Sequence, residues 1–260
     1  SRTMAPTGAD RPLQRVIVRI GQPAQLIALP ALIFPIFLGA YTWAKCSIPF
    51  AVGYGWERIW SDADRLIFGT DAWRLTHAVI PAAAGSAWTF FYAVVWGFAL
   101  VFSGALVAVF ASRRHVATFF TAMMMSWLIG GTGFAYAMSA GGPVFAHLID
   151  PDLGARFAPL RNELLAILGE KDLVLLSQKY LALGMETKIA LKGGGVSAMP
   201  SMHIATATIL VMASSRSGWL PFAILFLLLT FVAWVHLGYH YAADAPVAAV
   251  IAVLCWFAAR

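Results

Sequence analysis

Six long apolar stretches, joined by segments that carry almost all of the charge, constrain the fold of this chain more than any other feature. Hydrophobic residues make up 60% of the 260 residues and charged residues only 12%, whereas an ordinary soluble domain has roughly 25% charged residues. The sequence therefore predicts an all-α, polytopic integral membrane protein that forms one domain over residues 1–260. We expect six transmembrane helices over residues 25–44, 86–110, 116–140, 201–215, 219–235 and 244–259.

The last three apolar stretches are shorter than the first three. They have 15 to 17 residues and as helices would measure about 22 to 26 Å, against a hydrocarbon core of roughly 30 Å. The ends at which these stretches stop short are the ends next to His203 and His240. Because ionisable residues inside a membrane are costly and usually functional, the pattern predicts a polar site at one membrane surface.

The charges of the connecting segments indicate the orientation, because Lys and Arg are enriched on the cytoplasmic side. With six spans and a cytoplasmic N-terminus, the inner segments hold eight arginines against one acid, Asp10. We therefore expect residues 1–24 to form a cytoplasmic arm and the histidines to lie on the outer face of a bacterial inner membrane. This topology accounts for the net charge of +6, so we expect no nucleic-acid partner.

Two segments on the predicted outer face, residues 45–85 and 141–200, have the composition of interfacial helices. The first mixes tryptophans with arginines, which is typical of amphipathic helices at headgroup level and fits either a lipid-access surface or a structural collar. The second repeats leucine at helical spacing over residues 160–168 and 173–183. Three glycines, residues 193–195, then predict a flexible strap.

The strap leads into the string PSMH, residues 200–203. Ser201 is suited to cap the N-terminus of the fourth predicted span. The free N–H groups and the positive end of the helix dipole favour an anion such as phosphate at this position. His203, in the first turn, would face that anion.

The second string, HLGYHYAAD, covers residues 236–244 and contains His240 and Asp244. A spacing of four residues brings two side chains together on one helical face. A carboxylate in this position can select the tautomer of an imidazole and raise its basicity. The pair therefore predicts a short helix, although Pro246 disfavours helical geometry at the residue before it.

PSMH followed 37 residues after its histidine by His-x-x-x-Asp resembles the type-2 phosphatidic acid phosphatase superfamily. Within it, the YHYAAD string resembles the branch of the inositol phosphotransferases and inositol phosphorylceramide synthases, and more distantly the sphingomyelin synthases. The stretch from Asp64 to Gly69 and the Gly142-Pro143 pair are similar to stretches of that branch.

The resemblance implies that His240 attacks phosphorus, that Asp244 holds and polarises His240, and that His203 protonates the leaving oxygen and then activates the incoming hydroxyl. It implies a lipid phosphotransferase or phosphatase that needs no metal and no cofactor. Its partners would be a membrane lipid and, for transfer, a polyol or lipid alcohol as acceptor. Imidazole suits both roles because it serves as nucleophile and proton carrier near neutral pH.

Two cations that the superfamily uses to bind phosphate are missing. No lysine followed seven residues later by Arg-Pro precedes PSMH, and Trp234 stands where the resemblance implies an arginine six residues before His240. Because a dianionic phosphate monoester needs more positive charge than a phosphodiester, the loss favours transfer of a headgroup over hydrolysis of a monoester. The predicted substitutes are Lys188 and Lys192, with Arg156 and Arg161 as alternatives.

The remaining predictions concern the surroundings of the site. Ser201 is expected to contact phosphate together with the two lysines, whereas His236 and Tyr239 would support the site without contacting substrate. Two other classes stay open: a haem or metal protein with His203, His236 and His240 as ligands, and a transporter with a proton relay. Phosphotransfer is the preferred prediction, with lipid phosphate hydrolysis as the alternative.

Overall fold

Helices form every regular element that the computed structural model describes, which confirms the predicted all-α class. The structure describes residues 10–189, 191 and 193–260, with side chains at residue 28 and from residue 30 onward. Residues 1–9 of the predicted arm lie outside this range, and the arm from residue 10 belongs to the first helix. In chain order the helices are α1 (Asp10–Ala51), α2 (Glu57–Phe68), α3 (Ala72–Val79), α4 (Ala82–Phe110), α5 (Arg113–Ala137), α6 (Pro151–Arg156), α7 (Ala158–Leu168), α8 (Leu173–Thr187), α9 (Met202–Ser214), α10 (Leu220–His236) and α11 (Asp244–Ala258).

Three of these helices are long and apolar enough to cross a membrane: the Pro30–Ala51 part of α1, α4 and α5. The helices α9, α10 and α11 are apolar but shorter, as the sequence predicted. The first span was predicted to end at residue 44, and that boundary is wrong because α1 continues to Ala51. Ile48 is fully buried and Cys46 is buried beside it, so inward-facing apolar side chains extend the helix past Lys45.

The helix α9 lies at the centre of the bundle, packed against α5, α10 and α11. It is buried on all sides over residues 204–209, where small side chains allow the neighbouring helices to approach closely. They are Ala205, Thr206, Ala207 and Thr208. The indole of Trp127 on α5 donates a hydrogen bond of 3.1 Å to the Thr206 hydroxyl. This packing holds the N-terminus of α9, which carries His203, inside the protein.

A cap of short helices covers the end of the bundle where α10 ends and where α9 and α11 begin. The cap consists of α2, α3, α6, α7, α8 and the 3₁₀ turn Pro143–Leu148. On α3, His77 Nε2 lies 2.9 Å from the carbonyl oxygen of His236, and on α8 the Gln178 amide donates to the carbonyl of Leu237. The two leucine-rich stretches form α7 and α8, as predicted, and α2 and α3 occupy the first outer segment.

Candidate active site

His240 and Asp244 form a pair in a tight turn between α10 and α11. His240 Nδ1 lies 3.2 Å from Asp244 Oδ2, and both side chains are buried. The predicted short helix is wrong: Asp244 begins α11, whereas His240 precedes a turn closed by the hydrogen bond from Asp244 N to the Tyr241 carbonyl. Pro246 is tolerated because it lies in the first turn of α11, where its missing N–H has no helical partner.

The tautomer of His240 is defined by its surroundings. Nδ1 lies 2.6 Å from the carbonyl oxygen of Ala198 and also faces Asp244. Because both neighbours are acceptors, Nδ1 carries the proton, and the lone pair is on Nε2. The ring also meets the Trp234 indole at a steep angle, with 4.4 Å between ring centroids. A fixed imidazole with a free Nε2 lone pair is suited to nucleophilic attack.

His203 lies in the first turn of α9 and faces His240. The two imidazole rings are 5.9 Å apart between centroids. Ser201 caps the helix, as predicted, by accepting a hydrogen bond from Ile204 N. On its other sides His203 stacks on Tyr92 at 4.9 Å and contacts Trp96 at 4.0 Å. These two aromatic residues belong to α4, which contains a π-helical turn over Phe91–Val95 that presents Tyr92.

Two buried carboxylates hold the turn that carries His240. Asp64 accepts hydrogen bonds from Ala242 N and Ala243 N, at 3.1 and 2.8 Å. Glu57 accepts from the Tyr241 hydroxyl at 2.5 Å. Neither was predicted as a site residue, although the stretch that begins at Asp64 was one of the signals for the resemblance. Their hydrogen-bond partners in this turn are distant in sequence, so no local sequence pattern reveals the contacts.

Gly142 connects Glu57 to the histidine turn. Its N–H donates to Glu57 Oε1 at 3.1 Å, and its φ of 101° is one that L side chains rarely adopt. A Cβ at this position would collide with the Tyr239 carbonyl and approach the Ala198 side chain. Glycine is therefore required both for the backbone conformation and for the close approach of the chain segments that hold His240.

Burial changes the pKa of the site residues outside the long helices. It lowers the pKa of His240 well below its usual 6.5, an effect that the neighbouring His203 and Lys45 strengthen. Burial also raises the pKa of Glu57, and it raises the pKa of Asp64 to about 6 against the backbone hydrogen bonds that oppose the change. At neutral pH His240 is therefore a neutral imidazole, the form that a nucleophile requires.

The other predicted site residues lie around this centre. Tyr239 stacks on Tyr92 at 4.9 Å, and its hydroxyl donates to the Val174 carbonyl. His236 instead contacts the rings of His77 and Trp88, and none of its described ring contacts involves His203 or His240.

The predicted phosphate-binding cations are not gathered at the histidines. Lys188 is exposed at the end of α8, and no hydrogen bond or ion pair of the described residues joins it to the site. Lys192 lies outside the described residues. Arg156 bonds to Asp71 and to Asp62, so its guanidinium is already neutralised. Within the described part of the chain, no group of three or more His, Cys, Asp or Glu side chains is placed to hold a metal ion.

The site combines a buried imidazole of defined tautomer, a carboxylate behind it and a second imidazole at a helix N-terminus. Such an arrangement is chemically suited to nucleophilic and acid–base catalysis. The family model described as PAP2 superfamily matches residues 64–258, about three quarters of the chain. The chain belongs to that superfamily, whose members are generally metal-independent phosphatases or phosphotransferases acting on lipid phosphates. Comparison with curated proteins and with solved structures found no match.

The contacts of Asp64 predict that Asp64→Asn lowers turnover about 10- to 100-fold, because an amide nitrogen cannot accept a backbone N–H and one donor of the turn is left unsatisfied. Asp62→Asn, an exposed change on the same helix, is the matched control. The measurement is the kcat of the purified protein for turnover of a lipid phosphate at several pH values. Equal turnover in the two variants would contradict a positioning role for Asp64.

The same variant has a signature in the pH dependence of stability. Because the folded protein raises the pKa of Asp64 from 3.8 to about 6, the folded state binds this proton more tightly than the unfolded state does. The free energy of unfolding therefore falls as the pH rises from about 4 to about 6. The stability difference between wild type and Asp64→Asn should shrink over that interval in melting curves, and a difference independent of pH would contradict the assignment.

Proposed function

We propose that the protein is a membrane-embedded phosphotransferase that moves a phosphorylated headgroup from a lipid donor to an alcohol through a phosphohistidine on His240. The observation that supports this most directly is the geometry of His240. Its Nδ1 is held by Ala198 and Asp244, while its ring faces His203 across 5.9 Å. The space between the two imidazoles is suited to a phosphorus atom with the nucleophile on one side and the proton carrier on the other.

The reaction proceeds in two displacements. In the first, the Nε2 lone pair of His240 attacks phosphorus, and the bond from phosphorus to the leaving oxygen breaks as His203 gives that oxygen a proton. In the second, His203 takes the proton of an incoming hydroxyl, whose oxygen attacks phosphorus and releases Nε2. Asp244 stabilises the positive charge that His240 gains in the first step and loses in the second.

The walls of the site favour transfer over hydrolysis. The rings of Tyr92, Trp96 and Trp234 contact the two histidines, and Tyr239 stacks behind Tyr92. Aromatic walls offer few partners to water and can pack against a lipid alcohol or a polyol ring. The resemblance of YHYAAD to the inositol phosphotransferase branch supports the same preference. Ser201 and the first N–H groups of α9 then contact the phosphate oxygens.

The membrane arrangement follows from the helix lengths and loop charges. We propose that α9, α10 and α11 also cross the membrane, with α1, α4 and α5, to give six spans. The site then lies on the outer face of a bacterial inner membrane, beneath the cap. The shortness of α9 and α11 agrees with this, because their N-termini need not reach the full thickness of the hydrocarbon core.

The proposal is tested by incubating the purified protein with radiolabelled lipids, among them phosphatidic acid and phosphatidylinositol, with and without added inositol or ceramide. A transferase makes a new phospholipid that depends on the acceptor and releases little inorganic phosphate. Release of phosphate from phosphatidic acid at the same rate with or without acceptor would identify a lipid phosphate phosphatase instead. No turnover of any lipid would contradict both activities.

Removal of metal ions is expected to leave the activity unchanged, because the two displacements use only side chains of the chain itself. Turnover of the accepted lipid should be equal within error before and after dialysis against EDTA. Adding magnesium or zinc back to the dialysed protein is the control for slow loss of activity. Activity that disappears with EDTA and returns with one metal would support the metal-protein alternative.

A further inference from the structure

Lys45 lies next to the chain segment from Gly195 to Ala198, which holds His240. Lys45 and this segment are about 150 residues apart in sequence. Lys45 belongs to the last turns of α1. A Cβ built on Gly195 of the strap would lie 2.7 Å from the Lys45 carbonyl carbon and 2.9 Å from its Cβ. Only a glycine allows the strap to pass this close to Lys45.

The end of α1 is anchored on both sides of Lys45, to α5 and to the segment just before the strap. The Tyr136 hydroxyl donates to the carbonyl of Ala44 at 2.6 Å, and the Cys46 thiol donates to the carbonyl of Leu191. Three residues after Gly195, the carbonyl of Ala198 accepts the hydrogen bond of His240 Nδ1. The end of α1 is therefore fixed against the chain segment that also orients the nucleophile.

Lys45 has no counter-charge in the described part of the chain. The ion pairs there do not include it. The three carboxylates of the site have other partners: Glu57 bonds to Tyr241, Asp64 to the backbone of the turn, and Asp244 to His240. Lys45 lies close enough to His203 and His240 for its positive charge to reach both imidazoles.

We propose that Lys45 supplies the positive charge that binds the substrate phosphate, in place of Lys188 and Lys192 and of the cations that this chain lacks. The inference rests on the proposed function and identifies the phosphate contact within that site. A partly buried ammonium without a carboxylate is costly, and an anionic phosphate between the two histidines satisfies it. One cation beside a helix N-terminus suits a phosphodiester, which carries a single negative charge.

The test is the binding of orthovanadate, a phosphate mimic, to the detergent-purified full chain, measured by titration calorimetry without turnover. Lys45→Gln should weaken binding about 10- to 100-fold, because a charge-assisted contact is lost. Lys45→Arg should retain most of the affinity, since it keeps the charge. Lys179→Gln, an exposed lysine on α8, is the matched control and should bind as wild type does.

Melting curves separate this role from a structural one. If Lys45 is an unpaired charge kept for substrate, Lys45→Gln should melt at the wild-type temperature or above it. If Lys45 had a structural role, Lys45→Gln would lower the melting temperature of the protein. That result would contradict the inference. Vanadate binding that is unaffected in Lys45→Gln, or that is lost in Lys188→Gln or Lys192→Gln instead, would overturn the assignment of Lys45 alone. A wild-type protein that binds no vanadate would overturn the proposed function as well.

Discussion

His240→Ala is expected to produce the largest loss of activity, about 10⁴-fold or more in kcat, because it removes the proposed nucleophile. The measurement is turnover of the accepted lipid by purified protein in mixed micelles. Asp244→Asn should cause a similar though smaller loss, because the amide cannot stabilise the charge that His240 gains. The double variant should be little worse than His240→Ala, since the two residues act as one unit.

The intermediate itself gives an independent readout. Wild-type protein incubated with a lipid labelled at phosphorus and quenched in alkali should retain label on histidine, whereas His240→Ala should retain none. His147→Ala, which removes an exposed histidine of the cap, is the control and should keep both label and turnover. Turnover near the wild-type level in His240→Ala and Asp244→Asn, with normal melting curves, would refute the assignment of the nucleophile.

The second large effect is expected for His203→Ala, which should lower kcat about 10²- to 10⁴-fold through loss of general acid–base catalysis. The loss should depend on the leaving group. A phosphodiester that releases nitrophenol needs no proton on its leaving oxygen, so His203→Ala should still label His240 with this substrate at nearly the wild-type rate. Transfer to an alcohol should remain slow because the hydroxyl still needs a base.

His203→Gln provides the matched control for packing, because glutamine fills part of the space between Tyr92 and Trp96 without carrying protons at neutral pH. It should behave like His203→Ala in the kinetics and like wild type in melting curves. If His203→Ala lost the natural and the activated substrates equally, the side chain would have a binding or structural role instead. The acid–base assignment would then be wrong.

The helices of this protein could be predicted closely from local patterns. The predicted boundaries of the last three apolar segments lie within one residue of those of α9, α10 and α11, because a run of apolar residues between polar turns defines a buried helix without further information. The end of α1 could not be predicted in this way. Lys45 resembles the start of a polar loop, and only the packing of Cys46 and Ile48 shows that the helix continues.

The site was predictable only in part. PSMH and the spacing of His240 and Asp244 identified three residues that the structure brings together. The carboxylates of Glu57 and Asp64 could not be found from spacing, because their partners in the turn that carries His240 lie more than 170 residues away. Lys188 and Lys192 were predicted because they are near PSMH in sequence, whereas the proposal for Lys45 depends on its position in space.

Residue types and short spacings were enough to predict an all-α protein with long apolar helices, and to place two histidines and a carboxylate at helix ends. These properties depend on residue type and on spacings of a few residues, which are local. The groups that orient His240 could be identified only from the folded structure, because they are distant from it in sequence. Hydrogen bonding, burial and the effect of a charge depend on distance in space. Folding brings together groups that are far apart in the sequence, so their interactions cannot be read from sequence spacing.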